Sequence, residues 1–407
     1  VQEWRAGWLL VFSAACGISL TSVHIYSTGL FMEPLEAEFG WTRTQLTSGL
    51  TLVSIVGVLL SPVAGVLVDR WNARRVALPG VMLYAGGVMA LSLATPSIVT
   101  WWLLWFFVAV GALLLKPTVW SAAVSSAFTT TRGLALAVML CGTGVGAAVV
   151  PLAAEALIEH VGWRGAYRAL GAGFMVIVFP MLWLFFFDRR AEQAAALEGK
   201  PAPTGTAASA ATSGWSVREG MRKRQFFQLV LAAVLMTGVI VGCVVHLLPI
   251  LVDQGLARDE AIGFVAMIGL LSITGRLGAG ALFDRLPGPP IGMVSAVLPA
   301  VFATLLLLAP DSAAATFAAV IALGLAVGSE YDAVIYLSTR YFGLRNFGSL
   351  FGFVSSSILA GVGIGPLMAG MIFDQDGSYE RFLLAIVPAC LVSGALLVTL
   401  GPYPNHE

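Results

Sequence analysis

Of the 407 residues, 58% are hydrophobic and only 11% are charged, against roughly 25% charged in a soluble domain, which excludes a soluble globular protein. Lysine plus arginine and aspartate plus glutamate each number 22, so there is no basic excess to hold a phosphate backbone, and no nucleic-acid partner is expected. At about 20 apolar residues per transmembrane helix, the apolar complement fills roughly twelve spans and calls for an all-α polytopic membrane protein. The 45 glycines and 19 prolines suit close helix contacts and kinks. Cys16, Cys141, Cys243 and Cys390 lie singly in apolar stretches without metal-ligand spacing, so they read as small packing residues and no metal site is expected.

In chain order, the apolar stretches predict helices over 7–32, 43–67, 76–95, 99–128, 133–158, 164–187, 225–251, 260–282, 289–309, 312–339, 347–373 and 380–402. The first has no small-residue cleavage site before Glu33 and reads as a retained helix. Residues 188–224, centred on GKPAPTGTAASAATSG, lack apolar periodicity and read as a flexible cytoplasmic linker between an N-terminal bundle, 1–187, and a C-terminal bundle, 225–407. With Lys116 and Arg276 inside the membrane, fifteen of the other twenty lysines and arginines fall on one side, which makes both termini cytoplasmic.

An internal repeat carries more information than any single helix. Gly65-x3-Asp69-Arg70 after the second helix recurs 215 residues on as Gly280-x3-Asp284-Arg285 after the eighth. The same offset relates Gly133 to Gly348 and Pro151 to Pro366. Six helices per unit make the repeat parallel, with an axis along the membrane normal, which is an architecture of secondary transporters.

The segment Gly65-Val-Leu-Val-Asp69-Arg70-Trp-Asn-Ala-Arg74-Arg75 resembles the loop motif of the major facilitator superfamily, G-x3-D-[RK]-x-G-[RK]-[RK], with Asn72 and Ala73 where a glycine is usual. The resemblance covers the whole chain and implies that superfamily's fold, with Asp69, Arg70, Arg74, Arg75, Asp284 and Arg285 gating the cytoplasmic side. The arginines could alternatively serve topology alone. Gly7-Trp8, the segment Glu38-Phe39-Gly40-Trp41-Thr42-Arg43 and the run Gly142-Thr-Gly144-Val-Gly146 are similar to bacterial relatives of the monocarboxylate porters and oxalate/formate antiporters. That branch places a substrate-binding arginine on helix eight, which Arg276 matches in position. Its animal members carry an aspartate one turn earlier, where this chain has Ser272, and a first-helix lysine, near which this chain has His24.

Charges at membrane depth cost roughly 2.5–3.5 kcal/mol each on insertion scales, so they are normally paired or face water. Arg276 sits in mid-helix eight and could clamp a carboxylate bidentately, or pair with a helix-ten carboxylate. Lys116 precedes Pro117, which should kink helix four; it reads as a second anion contact or as a partner of Glu330 or Asp332. These two carboxylates lie about 200° apart around helix ten, and the expectation is Glu330 inward, with Asp332 bonding a neighbouring helix. Glu330, Asp332 and His24 are the candidates for proton coupling, although His24 equally fits a packing role. Tyr26, Trp120, Tyr331 and Tyr336 could complete a pocket, whereas Trp101, Trp102 and Trp105 read as lipid-facing or interfacial.

No nucleophile–base pair, metal cluster or phosphate loop is present, so no enzyme is expected. The resemblance implies a symporter of a small organic anion, a monocarboxylate, working by alternating access in a bacterial inner membrane, as a monomer without cofactors and driven by a proton gradient. Dicarboxylate exchange of the oxalate/formate kind and efflux of hydrophobic compounds are the alternatives.

Overall fold

The computed structural model describes residues 2–128, 130–187, 214–343 and 345–404. Among them, eleven helices are long and apolar enough to cross a bilayer. One of these, Arg132–Phe185, has 54 residues and would extend about 80 Å at 1.5 Å per residue, more than twice the roughly 30 Å hydrocarbon core. It breaks at Gly162 (φ 70°, ψ 169°), a conformation that suits glycine alone, and so supplies two crossings. The twelve expected helices are therefore present.

The chain forms two compact units, Val1–Gly199 with Arg258–Gly269, and Lys200–Ala257 with Leu270–Glu407. The first contains α1 (Gln2–Ser19), α2 (Thr28–Phe39), α3 (Arg43–Trp71), α4 (Ala73–Ala90), α5 (Ile98–Leu113), α6 (Pro117–Ala127), α7 (Arg132–Gly173) and α8 (Phe179–Phe185). The second contains α9 (Arg224–Asp253), most of α10 (Arg258–Phe283), α11 (Gly288–Leu308), α12 (Ala313–Phe342), α13 (Phe347–Asp376) and α14 (Glu380–Val398).

Local chemistry sets the ends of these elements. Gly40 (φ 67°) closes α2, and a Thr42–Gln45 capping box opens α3. The predicted first helix is not continuous: the Ser19 and Thr21 hydroxyls bond back to Cys16 O and Ile18 O, both at 2.7 Å, where the chain tightens into a 3₁₀ turn over Leu20–Ser22. Pro117 does more than kink its helix. α5 ends at Leu113 and α6 begins with Pro117 as its first residue, because extended geometry at Lys116 is what a following proline favours.

The repeat is visible in the packing. On α7, Gly146 approaches α1 so closely that a Cβ would lie 2.7 Å from Ser19 O. On α13, Gly361 would meet Val234 O of α9 at 2.8 Å. Both members of this contact are 215 residues apart, so the two units share a small-residue helix seam of the kind that draws membrane helices together.

The expected linker, 188–224, is only partly within the described residues, since 188–213 lies outside them. The remainder is not loose chain. Trp215 donates its N–H to Phe342 O at 3.0 Å and is buried against Phe226, Phe342 and Leu350. Trp101 and Trp105 do not face lipid: both are buried, with Trp101 Nε1 donating to Leu46 O at 3.3 Å and the Trp105 ring covering Gly49. Trp102 alone of the three is exposed, and it donates to Ser48 Oγ at 2.8 Å.

Candidate functional site

The charged residues of the second unit converge on α12. Arg276 on α10 reaches Asp332 on α12, Nη1 to Oδ1 at 3.2 Å, with side chains 14% and 23% exposed. Glu330, two residues earlier, is buried and points to a different neighbour, accepting a hydrogen bond from Thr237 Oγ1 on α9. Both carboxylates thus bond neighbouring helices, and Asp332 is the one that shares Arg276. Among the described residues, no cation lies within ion-pair distance of Glu330. The Arg276 pairing is permitted by close helix contact, since Gly328 on α12 lies so near Ser272 O and Arg276 N of α10 that a side chain there would collide with both.

In the first unit, Lys116 extends from the break between α5 and α6 toward α3, donating to Gly57 O at 3.3 Å and to Ser61 Oγ. Its acceptors are neutral. His24 places Nδ1 2.8 Å from the Tyr84 hydroxyl on α4, a packed and satisfied arrangement.

The proposed pocket aromatics divide. Tyr331 is half-buried and packs against the core cluster of α9, α12 and α13, and Tyr26 is half-buried at the end of a short turn, Val23–Tyr26. Trp120 is fully buried on Gly17, and its indole N–H already donates to Leu115 O at 2.8 Å, so it offers no donor to a ligand. Tyr336 stacks on Phe283 at 4.4 Å and donates to Phe283 O at 3.4 Å. It braces the lower end of α10, close to the 280–285 motif and well below Arg276. A cavity of about 680 Å³ runs between α10, α11 and α12, lined by residues such as Leu282, Ile291, Val294 and Leu298. Its lining includes Gly275 and Ser329 but not Arg276, Glu330 or Asp332, so it belongs to the opposite, apolar face of those helices.

Of the gating residues, the Asp69 side chain lies outside those described. Arg74 donates to Trp183 O at 2.5 Å and stacks over that indole at 5.8 Å. Arg70, Arg75, Asp284 and Arg285 are exposed. The motif's usual glycine falls on Asn72, which has a positive φ of 70° and accepts a bond from Arg75 N at 3.0 Å, capping α4. At ψ 161° this is close to the conformation of Gly162, which explains why glycine is common there, and the side-chain cap onto Arg75 N offsets the strain of an asparagine Cβ.

Sequence reasoning missed one cluster. Arg258, the first residue of α10, donates Nε and Nη2 to the two oxygens of Glu155 on α7 at 2.6 and 3.0 Å, Nη1 to Glu33 on α2 at 2.5 Å, and Nη2 also to Leu30 O at 3.3 Å. Glu155, a carboxylate inside an apolar span, was the available signal.

Long apolar helices in two repeated units, with ion pairs at membrane depth, define a polytopic membrane transporter. The chain belongs to the Major Facilitator Superfamily, whose sequence profile matches residues 8–342. Such proteins move solutes and are not enzymes. It is 26% identical over 401 residues to mouse "Monocarboxylate transporter 11", covering 96% of this chain and 86% of that one. It is 25% identical over 370 residues to the "Uncharacterized MFS-type transporter YhjX" of Escherichia coli (strain K12), covering 89% and 86%. A crystal structure of a bacterial homolog of the human lysosomal transporter Spinster shares the fold, with a TM-score of 0.69 at 20% identity over 96% of this chain and 94% of that one.

Proposed function

We propose that the protein carries a small organic anion, a monocarboxylate, in symport with a proton by alternating access. The observation that carries this reading is the Arg276–Asp332 pair. A guanidinium held by one carboxylate through a single contact can be taken by another, and a substrate carboxylate can replace Asp332 with the bidentate geometry that the planar fork favours. Glu330 is the proton carrier in this scheme. It is buried beside a hydroxyl and, among the described residues, has no cation within ion-pair distance, so a proton is the counter-charge it would take up and release as access alternates. The Arg258 clasp is a latch that holds the start of α10 on α7 in this state and opens in the other. Lysine and arginine asymmetry supports cytoplasmic termini, similarity to the Escherichia coli protein supports a bacterial inner membrane, and the symport needs no cofactor and no second copy of the chain.

One observation favours a second reading. Lys116 has only neutral acceptors among the described residues, so each unit presents a cation of its own, which favours exchange of a doubly charged dicarboxylate as the alternative.

The test is uptake of labelled monocarboxylates and dicarboxylates into proteoliposomes, with an inward proton gradient, without one, and with unlabelled anion trapped inside. Gradient-driven accumulation, abolished by Arg276→Ala and uncoupled from the gradient by Glu330→Gln, is the expected result. Uptake that requires trapped anion assigns exchange, and wild-type rates in Arg276→Ala overturn the site.

A further inference from the structure

The segment between the two units ends in a rigid basic platform. Trp215 is fixed by Phe342 O and by Asn346 Nδ2, which donates to Trp215 O at 3.0 Å. Gly220 lies so close to Leu350 that a Cβ would come within 2.7 Å. Ser216 Oγ accepts from Glu219 N at 3.3 Å and so caps the single turn Val217–Gly220. Glu219 pairs with Lys223 at 3.6 Å, and that ammonium lies 5.6 Å over the Trp215 ring.

Ser216, Arg218, Glu219, Arg222 and Lys223 line an open cavity of about 540 Å³. Three cations face it with one carboxylate, and among the described residues neither Arg218 nor Arg222 holds an ion pair. A membrane span begins at the next residue, Arg224. Lys223, Phe227 and Leu231 follow at four-residue spacing and share a helix face, and Phe227 and Leu231 are 59% and 47% exposed. A fixed positive pocket at the boundary of the bilayer therefore continues into an apolar stripe.

We infer that this pocket binds the headgroup of an anionic phospholipid, such as phosphatidylglycerol, with an acyl chain along Phe227 and Leu231. Exposed cations hold a soluble phosphate weakly because salt and water screen each contact. A bilayer presents the same phosphate at high local concentration, and each lysine or arginine near its surface adds to the attraction. Such a site requires only the membrane location of α9, which does not depend on the transported solute.

The experiment uses the full chain, delipidated in a neutral detergent and supplied with phosphatidylglycerol, phosphatidylcholine or inorganic phosphate, with bound lipid counted by native mass spectrometry. The wild type should retain phosphatidylglycerol over phosphatidylcholine by roughly tenfold or more. The triple variant Arg218→Gln, Arg222→Gln, Lys223→Gln should lose that preference, whereas removal of two exposed charges elsewhere, Arg75→Gln with Arg285→Gln, should keep it. Equal retention by the triple variant, equal loss in the control, or displacement by excess inorganic phosphate overturns the inference, the last by assigning a small-anion pocket. Should the triple variant unfold, a photoreactive phosphatidylglycerol on the wild type decides: labelling within 216–231 supports the site, and labelling only elsewhere refutes it.

Discussion

Replacement of Glu155 by glutamine tests whether the Arg258 clasp holds α10 in place. The first three turns of α10, Arg258–Gly269, group with residues 1–199, while the rest of the helix groups with the second unit. The clasp holds one end of that stretch, and Gly269, where a Cβ would lie 2.2 Å from Ala148 N on α7, packs closely at the other. Exposed ion pairs contribute about 0–1 kcal/mol, and removing one partner of a buried pair costs about 3–5 kcal/mol. Glu155 is 10% exposed and Arg258 31%, so the bidentate arm falls between these limits, at about 2 kcal/mol. Glu33 is 75% exposed, which places its arm below about 1 kcal/mol. A loss of about 2 kcal/mol is roughly a thirtyfold change in an opening equilibrium. Amide hydrogen exchange across 258–269 in the detergent-solubilised protein should therefore quicken by roughly thirtyfold in Glu155→Gln and less than about fivefold in Glu33→Gln. Equal effects from the two variants, or none from Glu155→Gln, would refute the reasoning, since burial would then not set the strength of the clasp.

Three further outcomes are checkable in the purified protein. Glu38 accepts from Trp163 Nε1 at 2.6 Å and from Arg164, whose guanidinium holds its carboxyl below the usual carboxylate range. A native value below the unfolded one means that the stabilisation is full above the usual range and is lost as pH falls through the lower native value. Thermal unfolding between pH 6 and 3 should show this acid-side loss, under about 1 kcal/mol for an exposed pair, and Glu38→Gln should remove it. Gly361→Ala forces a Cβ to 2.8 Å from Val234 O and should destabilise by about 1–3 kcal/mol; Gly352→Ala on the same helix, with nothing within 4 Å, should be neutral or stabilising, and equal losses would remove the seam from the account. Asn72→Gly should leave stability within about 0.5 kcal/mol, while Asn72→Val, β-branched at φ 70°, should cost at least about 1–2 kcal/mol by the same melting curves.

What could be read from sequence follows from what is local. The helices were legible because each is a long apolar run, and the repeat because its motif stands at a fixed offset. The depth of Arg276, Lys116, Glu330 and Asp332 was legible for the same reason. Their partners were not. The angle between Glu330 and Asp332 shows that they face different neighbours, but which of them meets Arg276 depends on how α10 is rotated against α12. Pro117 marked an interruption, and the extended backbone at Lys116 makes it a break rather than a bend. Arg258 looked like a topology charge because its acceptors come from α2 and α7, over a hundred residues away.

The two cation sites are one inter-helix gap seen twice. Ser61 on α3 stands 215 residues before Arg276 on α10, and Lys116, opposite Ser61, stands 215 before Tyr331, the neighbour of Asp332. In the first unit the cation comes from the α5–α6 break and meets a hydroxyl; in the second it comes from α10 and meets a carboxylate. The duplicated gap has therefore kept a buried positive charge while exchanging the strand of sequence that supplies it. Among the described residues the second copy carries its own counter-ion, on a helix that lacks a proline at the equivalent point and so runs unbroken from Ala313 to Phe342, whereas the first offers Lys116 dipoles. If an anion displaces Asp332 from Arg276 as proposed, neutralising Asp332 should tighten anion binding, while Ser61→Ala should leave the Lys116 charge available and change it little.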